Sequence, residues 1–308
     1  RVPDPKSVLP TPDLDGEHAA QTEAGALPAR AADNLFWLGR YIVRFEDVAR
    51  LLRSYHLRLA TSDRADDKLL DYIAEDLAPL GIDVDQPVPD GLLNRLQAAH
   101  NCAAKVRDRF STDGWYALSD LIRTTREMAA SAQPGDDAAR AMSVLLRKTA
   151  GFSGMVNDNM YRFFGWRFLT IGRALERADS LAAVLETYAD PEAPEGALDI
   201  ALEVADGRMA HRRRYALGAT RETVVDLLAH DAGNPRSVLY QVREVQTLAE
   251  ALPGAALSAR PGVLVRQLLP IRTQLEVGQA ADMTTEALGD LRLALSGMSD
   301  LLAEAHLR

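Results

Sequence analysis

Two stretches of this chain share one pattern, and a chain that carries it twice has few ways to fold. Residues 34–52 read NLFWLGRYIVRFEDVARLL and residues 167–185 read RFLTIGRALERADSLAAVL. In each, Gly-Arg is followed by a second arginine one helical turn on and then by an acid: Gly39, Arg40, Arg44 and Glu46, then Gly172, Arg173, Arg177 and Asp179. The apolar positions keep the same separation of 133 residues, so Leu35, Leu38, Ile42, Phe45, Ala49 and Leu52 match Phe168, Ile171, Leu175, Ala178, Ala182 and Leu185. Steps alternating between three and four residues trace one face of an α-helix. Both stretches are therefore predicted to be helices that bury that face.

The same periodicity fixes where the polar residues point. Arg40 stands one turn from Arg44, and Arg173 one turn from Arg177, so each helix carries two stacked guanidiniums beside its apolar stripe. Like charges at that spacing repel by about 0.2–0.5 kcal/mol unless carboxylates or a bound anion neutralise them. Glu46, Asp47 and Glu176 are close enough in sequence to do so. Each glycine, inside a helical pattern, costs about 1 kcal/mol against alanine and predicts another backbone passing close by. Two readings follow. Either two antiparallel helices cross at Gly39 and Gly172 with their arginines held in structural ion pairs, or the crossing forms a charged pocket that binds an anion.

The rest of the chain is read as scaffold. From Ala31 onward nearly every segment has helical spacing and none shows strand alternation, which predicts an all-α fold, a large multi-helix bundle of about ten helices with an internal pseudo-repeat. Expected helices cover residues 31–59, a segment marked by Leu69, Ile73 and Leu77, 91–110, a segment anchored by Trp115, Leu118, Ile122 and Thr125, 136–160, the second motif to about 188, 198–215, 221–230, 235–252, 261–277 and 283–306. Residues 190–196, DPEAPEG, are the clearest internal break and a point of subdivision. Residues 1–29 hold Pro3, Pro5, Pro10, Pro12 and Pro28 without an apolar period. That is linker composition, and residues 30–308 form the helical domain.

At 308 residues and 47% hydrophobic content the chain can bury a substantial core, and its net charge of −9 disfavours a general nucleic-acid or anionic-membrane binder. The single cysteine, Cys102, excludes an intramolecular disulfide and a cysteine-based zinc site. No apolar run approaches the roughly 18 residues that span a bilayer, and the chain reads as cytoplasmic. There is no H-E-x-x-H, no E-x-x-H pair, no G-x-S-x-G and no phosphate-binding glycine loop. No metal and no cofactor is predicted for this chain. A second basic cluster, Arg208, Arg212, Arg213 and Arg214 with Arg221 and Arg236, is dense for an acidic protein. Arg236 follows Asn234-Pro235, a helix-start signal, in what reads as the first turn of a helix, where free N–H groups favour anions. Carboxylate or phosphate recognition is one reading, and a solvated basic face is the other.

Taken together, residues 27–53 (LPARAADNLFWLGRYIVRFEDVARLLR), 165–185 (GWRFLTIGRALERADSLAAVL) and 234–242 (NPRSVLYQV) resemble the alpha-E domain family of bacteria, over about residues 27–307. The resemblance implies a helical module that occurs beside, or fused behind, a circularly permuted ATP-grasp domain, in an amide- or peptide-bond-forming system. It places the family's G-R-x-x-E-R on Gly172, Arg173, Glu176 and Arg177. In the first copy it falls on Gly39, Arg40 and Arg44, but Val43 stands where the glutamate is expected. The proline-rich leader resembles the joint of the fused form.

The leading functional expectation is an accessory or substrate-recognition domain. It would bind a circularly permuted ATP-grasp partner in cis or in trans, a peptide substrate, or both. Its anion-binding residues would be Arg40, Arg44, Asp47, Arg173, Glu176, Arg177, Arg208, Arg212 and Arg236. ATP and Mg would then belong to that partner. One alternative is a stand-alone enzyme with Glu176 as acid or base and Arg173 and Arg177 as clamps. The other is a structural bundle that forms homo-oligomers.

Overall fold

The computed structural model describes residues 27–61, 67–216, 218–252 and 260–307, so most of the proline-rich leader lies outside the described residues. Twelve α-helices occur among them and no strand. They are α1 (Ala29–Leu59), α2 (Lys68–Leu77), α3 (Asp90–Ala104), α4 (Thr112–Ser131), α5 (Asp136–Asn159) and α6 (Phe164–Tyr188), then α7 (Ala197–Val204), α8 (Arg208–Arg214), α9 (Arg221–Val225), α10 (Val238–Ala249), α11 (Val263–Val277) and α12 (Thr285–Leu302). Most expected helices are found within a few residues of their predicted ends. Residues 198–215 divide into α7 and α8 because Asp206 takes a left-handed conformation at φ 55° just ahead of Gly207, which no helix interior accommodates. Residues 226–230 and 303–307 close their helices with wider π turns.

Side chains of the right kind begin several helices. Asp67, Ser111, Thr220, Ser237 and Thr284 each accept a backbone N–H of the first turn, an arrangement worth about 1 kcal/mol per cap. Ser237, rather than Asn234, caps α10. Asn234 instead accepts the N–H of Arg236 in a tight turn, so Arg236 precedes the helix and does not sit in its first turn.

Helices α1 and α6, the two motif helices, form the hub. They pack against each other, with α3 and α5 laid on α1 and α10 and α12 laid on α6. The apolar stripes of both motifs are buried almost completely, and burying each Leu, Ile or Phe contributes roughly 1.5–3 kcal/mol. One apolar cluster runs from Ala32 to Leu302 and includes helices on both sides of residues 190–196, which form the connection between α6 and α7.

The hub closes at its glycines. A Cβ on Gly39 would lie 2.3 Å from the Leu169 carbonyl oxygen, and a Cβ on Gly172 would lie 2.2 Å from that of Phe36. Residues 36 and 169 are related by the same separation as 39 and 172, so the two contacts are equivalent under a pseudo-twofold axis through the crossing. Only a residue without a side chain admits a carbonyl this close.

Candidate functional site

The crossing brings the arginines of each helix towards the acids of the other. On the first side, Glu176 of α6 accepts Arg40 Nε on one carboxylate oxygen and Arg44 Nε, at 2.7 Å, on the other. Arg40 also donates to Ser299 Oγ of α12. Arg40 and Glu176 are about equally buried, their side chains 7% and 6% exposed, whereas Arg44 keeps 35%. Aromatic rings complete this side. The Arg40 guanidinium lies 5.3 Å from the Trp37 ring centre, and that of Arg44 lies 5.7 Å from Tyr41, close enough for cation–π attraction.

On the second side the pattern is different. Glu46 of α1 accepts Arg50 at 2.9 Å, Arg177 at 3.3 Å and Arg236. Burial by itself would raise the Glu46 pKa, but Arg236, Arg177 and Arg50 outweigh it and hold the carboxyl well below the ordinary range. Asp47 is pushed up to about 7, by burial and then by the charge of Glu46. Its Oδ2 is buried without a donor. Asp47, Ser180, Arg177 and Arg236 line a recess with about 10 Å³ of free space for a water centre, the size of one water.

Unlike Arg40, Arg44, Arg50 and Arg177, Arg173 meets no carboxylate at the crossing. Its stem lies alongside Gly39 and beside Phe152, Ser153 and Val156 of α5. Its Nε is buried with no acceptor, and among the described residues it forms no hydrogen bond and no ion pair. Burial and the nearby charge of Arg177 bring its pKa down to about 10, with Arg236 acting in the same direction against Glu46. The twofold relation explains the isolation. The mirror of Glu176, which holds Arg40, is Val43, and a valine has nothing to offer Arg173. Val43 is fully buried yet lies outside the apolar cluster.

The basic cluster at residues 208–236 is not one site. Arg208 pairs with Glu203 at 3.0 Å and Asp199 at 3.4 Å, and Glu203 also holds Arg58, towards the far end of α1. Arg214 pairs with Asp226 and Asp231, and Arg221 donates to the backbone carbonyls of Ala189 and Met283. Arg212 is exposed. Of that run only Arg236 joins the crossing, because the turn before α10 points it at Glu46. The short helix α8 instead spreads its arginines to separate acids.

Several participants carried weaker signals in the sequence. Asp179 is the repeat counterpart of Glu46, and it is raised to about 6 by burial and by Glu176. Its Oδ1 is buried without a donor. Arg50, one turn beyond Glu46, was legible as a helical neighbour. Ser299, more than a hundred residues away on α12, was not, since nothing local marks it. Among the described residues no group of three or more metal-ligating side chains comes together, and no helix is long and apolar enough to cross a membrane.

Comparison with known proteins adds a family. Uncharacterised proteins of Mycobacterium tuberculosis and Mycobacterium bovis are 26% identical to the chain over 93% of its length. The chain spans about a third, 36%, of the length of those relatives. No solved structure matches. The profile of Alpha-E, a predicted alpha-helical domain with a conserved ER motif, matches residues 27–307. The sequence contains one Glu-Arg dipeptide, Glu176-Arg177, and it lies at the crossing. The chain belongs to the Alpha-E family.

Proposed function

We propose that this protein is the helical accessory module of an ATP-grasp-dependent system that forms amide or peptide bonds, and that its α1–α6 crossing presents arginines to an acidic group of the substrate or partner. The observation that carries the reading is the state of Arg173. A guanidinium whose Nε is buried without an acceptor is costly in a core, and a site that receives an acid from outside makes sense of it. ATP-grasp ligases generate an acyl phosphate, and the amine that attacks it must be delivered and oriented. Arginine forks suit that task because they hold a carboxylate in one plane. The relatives' extra length leaves room for such a catalytic domain in cis, and a separate partner would serve in trans. ATP and Mg would reside there, in the cytoplasm.

The alternative of Glu176 as a catalytic acid or base finds less support. Both of its oxygens are occupied by guanidiniums, which makes it a clamp for Arg40 and Arg44 rather than a group free to exchange a proton. The test is ATP turnover by the purified chain alone, by a circularly permuted ATP-grasp protein alone, and by the two mixed, alongside co-elution in gel filtration. The expected result is no hydrolysis by this chain, and complex formation with turnover on mixing. Robust ATP hydrolysis by the chain alone, or no complex with the ATP-grasp protein, overturns the accessory reading.

A further inference from the structure

We infer that the Arg173 side of the crossing is a carboxylate-binding subsite, in which an acid from a ligand supplies the charge that Val43 does not. The inference rests on the proposed role of the crossing in meeting a substrate acid, and it adds which arginines and which chemistry. Its template is inside the molecule. On the first side, a carboxylate set between two arginines one turn apart satisfies both, with each oxygen taking one Nε. The pseudo-twofold axis carries Arg40 and Arg44 onto Arg173 and Arg177, and carries Glu176 onto Val43. The second side therefore has the two guanidiniums of a carboxylate site without the carboxylate.

The remaining groups do not fill the gap. Arg177 has a buried Nε with no acceptor and reaches Glu46 only at 3.3 Å, and that carboxylate is shared with Arg50 and Arg236. Asp47 lines the small recess with Arg177 and Arg236, and Arg173 is not part of that lining. That recess accepts one water, and the gap that Arg173 lines with Gly39 and Phe152 accepts none, so a ligand meets the guanidiniums from the partly exposed edge of Arg173, with the body of the molecule outside the bundle. A planar acid is favoured over a tetrahedral one, because the complement seen on the first side is a glutamate side chain and the arginine fork is flat. A peptide C-terminus or an acidic side chain has the required form.

The experiment is thermal stability and calorimetric titration with glutarate, inorganic phosphate and sodium chloride at matched ionic strength. It uses wild type, Arg173→Met, Val43→Glu and, as an off-site control, Arg266→Ala, at an exposed position on α11. A ligand that binds only the folded state raises the melting temperature. Wild type and Arg266→Ala should respond to glutarate more than to chloride or phosphate. Arg173→Met should bind about tenfold more weakly or worse, the loss of one charge-assisted hydrogen bond. Val43→Glu, which supplies the acid internally, should lose the response. If Val43→Glu does not fold, Arg173→Met decides the matter alone. Equal responses of wild type and Arg173→Met, a preference for phosphate over glutarate, or no response of wild type overturn the subsite. Arg173-dependent glutarate binding without an ATP-grasp complex would support the subsite and defeat the accessory role. A complex that forms and turns over without glutarate binding would do the reverse.

Discussion

The two sides of the α1–α6 crossing start from one helical pattern and end in different states. On the Glu176 side both arginines have a partner, although the neighbouring Asp179 keeps one oxygen buried without a donor. Arg40 and Arg44 share the carboxylate, Ser299 takes a further donor, and Trp37 and Tyr41 cover the guanidiniums. At the mirrored positions of α6 the rings are replaced by Thr170 and Ala174, the acid by Val43, and Arg173 has no partner among the described residues. The difference separates two jobs that a duplicated motif can divide. In the reading proposed above, one copy braces the bundle and the other keeps a guanidinium available, at a cost in stability that the first copy and the apolar hub offset.

The largest effect should come from breaking the braced side. Glu176→Ala leaves Arg40 buried without its acid, and removing one partner of a buried pair typically costs about 3–5 kcal/mol. The denaturant midpoint should fall accordingly, with an unchanged slope. A loss below about 1 kcal/mol, the range of an exposed surface pair, would show that the first side is no more braced than the second. Next in size is the crossing itself, which both sides share. Gly39→Ala and Gly172→Ala each push a methyl to within 2.3 Å of a backbone carbonyl. Overpacking of this kind costs up to about 3 kcal/mol, and the twofold relation predicts similar losses for the two variants. Calorimetric melting of both would test that equivalence, and a loss at only one of them would refute it.

Much of this was legible in the sequence, for a definite reason. Residues separated by three and four positions on a helix have fixed relative directions, so the buried stripes and the stacked arginines could be read from spacing alone, whereas Val43 stood out only against the family's motif. The glycine pair could also be read, because an interior helical glycine needs an explanation. Contacts that depend on how helices are arranged could not. Ser299 reaches Arg40 only because α12 packs on α6, and Arg208 turned away from the crossing because Asp206 broke a helix that the spacing had run straight through. Arg236 reached Glu46 from a turn rather than from a helix start, since Ser237 proved the better cap for α10.

A smaller effect concerns the acids beside the arginines. Asp47, on the open side, holds its proton up to about pH 7, because it is buried next to Glu46, whereas in the unfolded chain an aspartate ionises near pH 4. Between about pH 4 and 7 the folded state therefore binds more protons than the unfolded one, so this group lowers stability as pH rises through that window. Asp47→Asn removes the penalty. The variant should match wild type near pH 4 and exceed it at pH 8, read as urea midpoints at the two values. Parallel pH curves for the two proteins would place Asp47 in a wetter and more compensated setting than its neighbours imply.

The smallest expected effect is the one that separates the two sides most cleanly. Arg40 and Arg173 are equivalent by sequence and by the twofold axis, so a simple reading of the repeat assigns them equal value. Their surroundings say otherwise. Arg40→Met removes a guanidinium bonded to Glu176 and Ser299 and leaves Glu176 with Arg44 alone, so a loss of about 3 kcal/mol is expected, as for other broken buried pairs. Arg173→Met removes a charge that has no acid partner among the described residues, and replaces a dehydrated Nε with an apolar stem of similar length against Gly39 and α5. What is lost is packing that methionine largely restores, and what is gained is relief from burying a cation beside Arg177 and Arg236. The net change should lie within about 1 kcal/mol of zero in ligand-free buffer, and its sign should favour the variant. Equilibrium unfolding of the two variants in chloride buffer without carboxylates makes the comparison directly. A cost for Arg173→Met that rivals that of Arg40→Met would mean that Arg173 is paired in the native protein, and the asymmetry between the two sides would be gone.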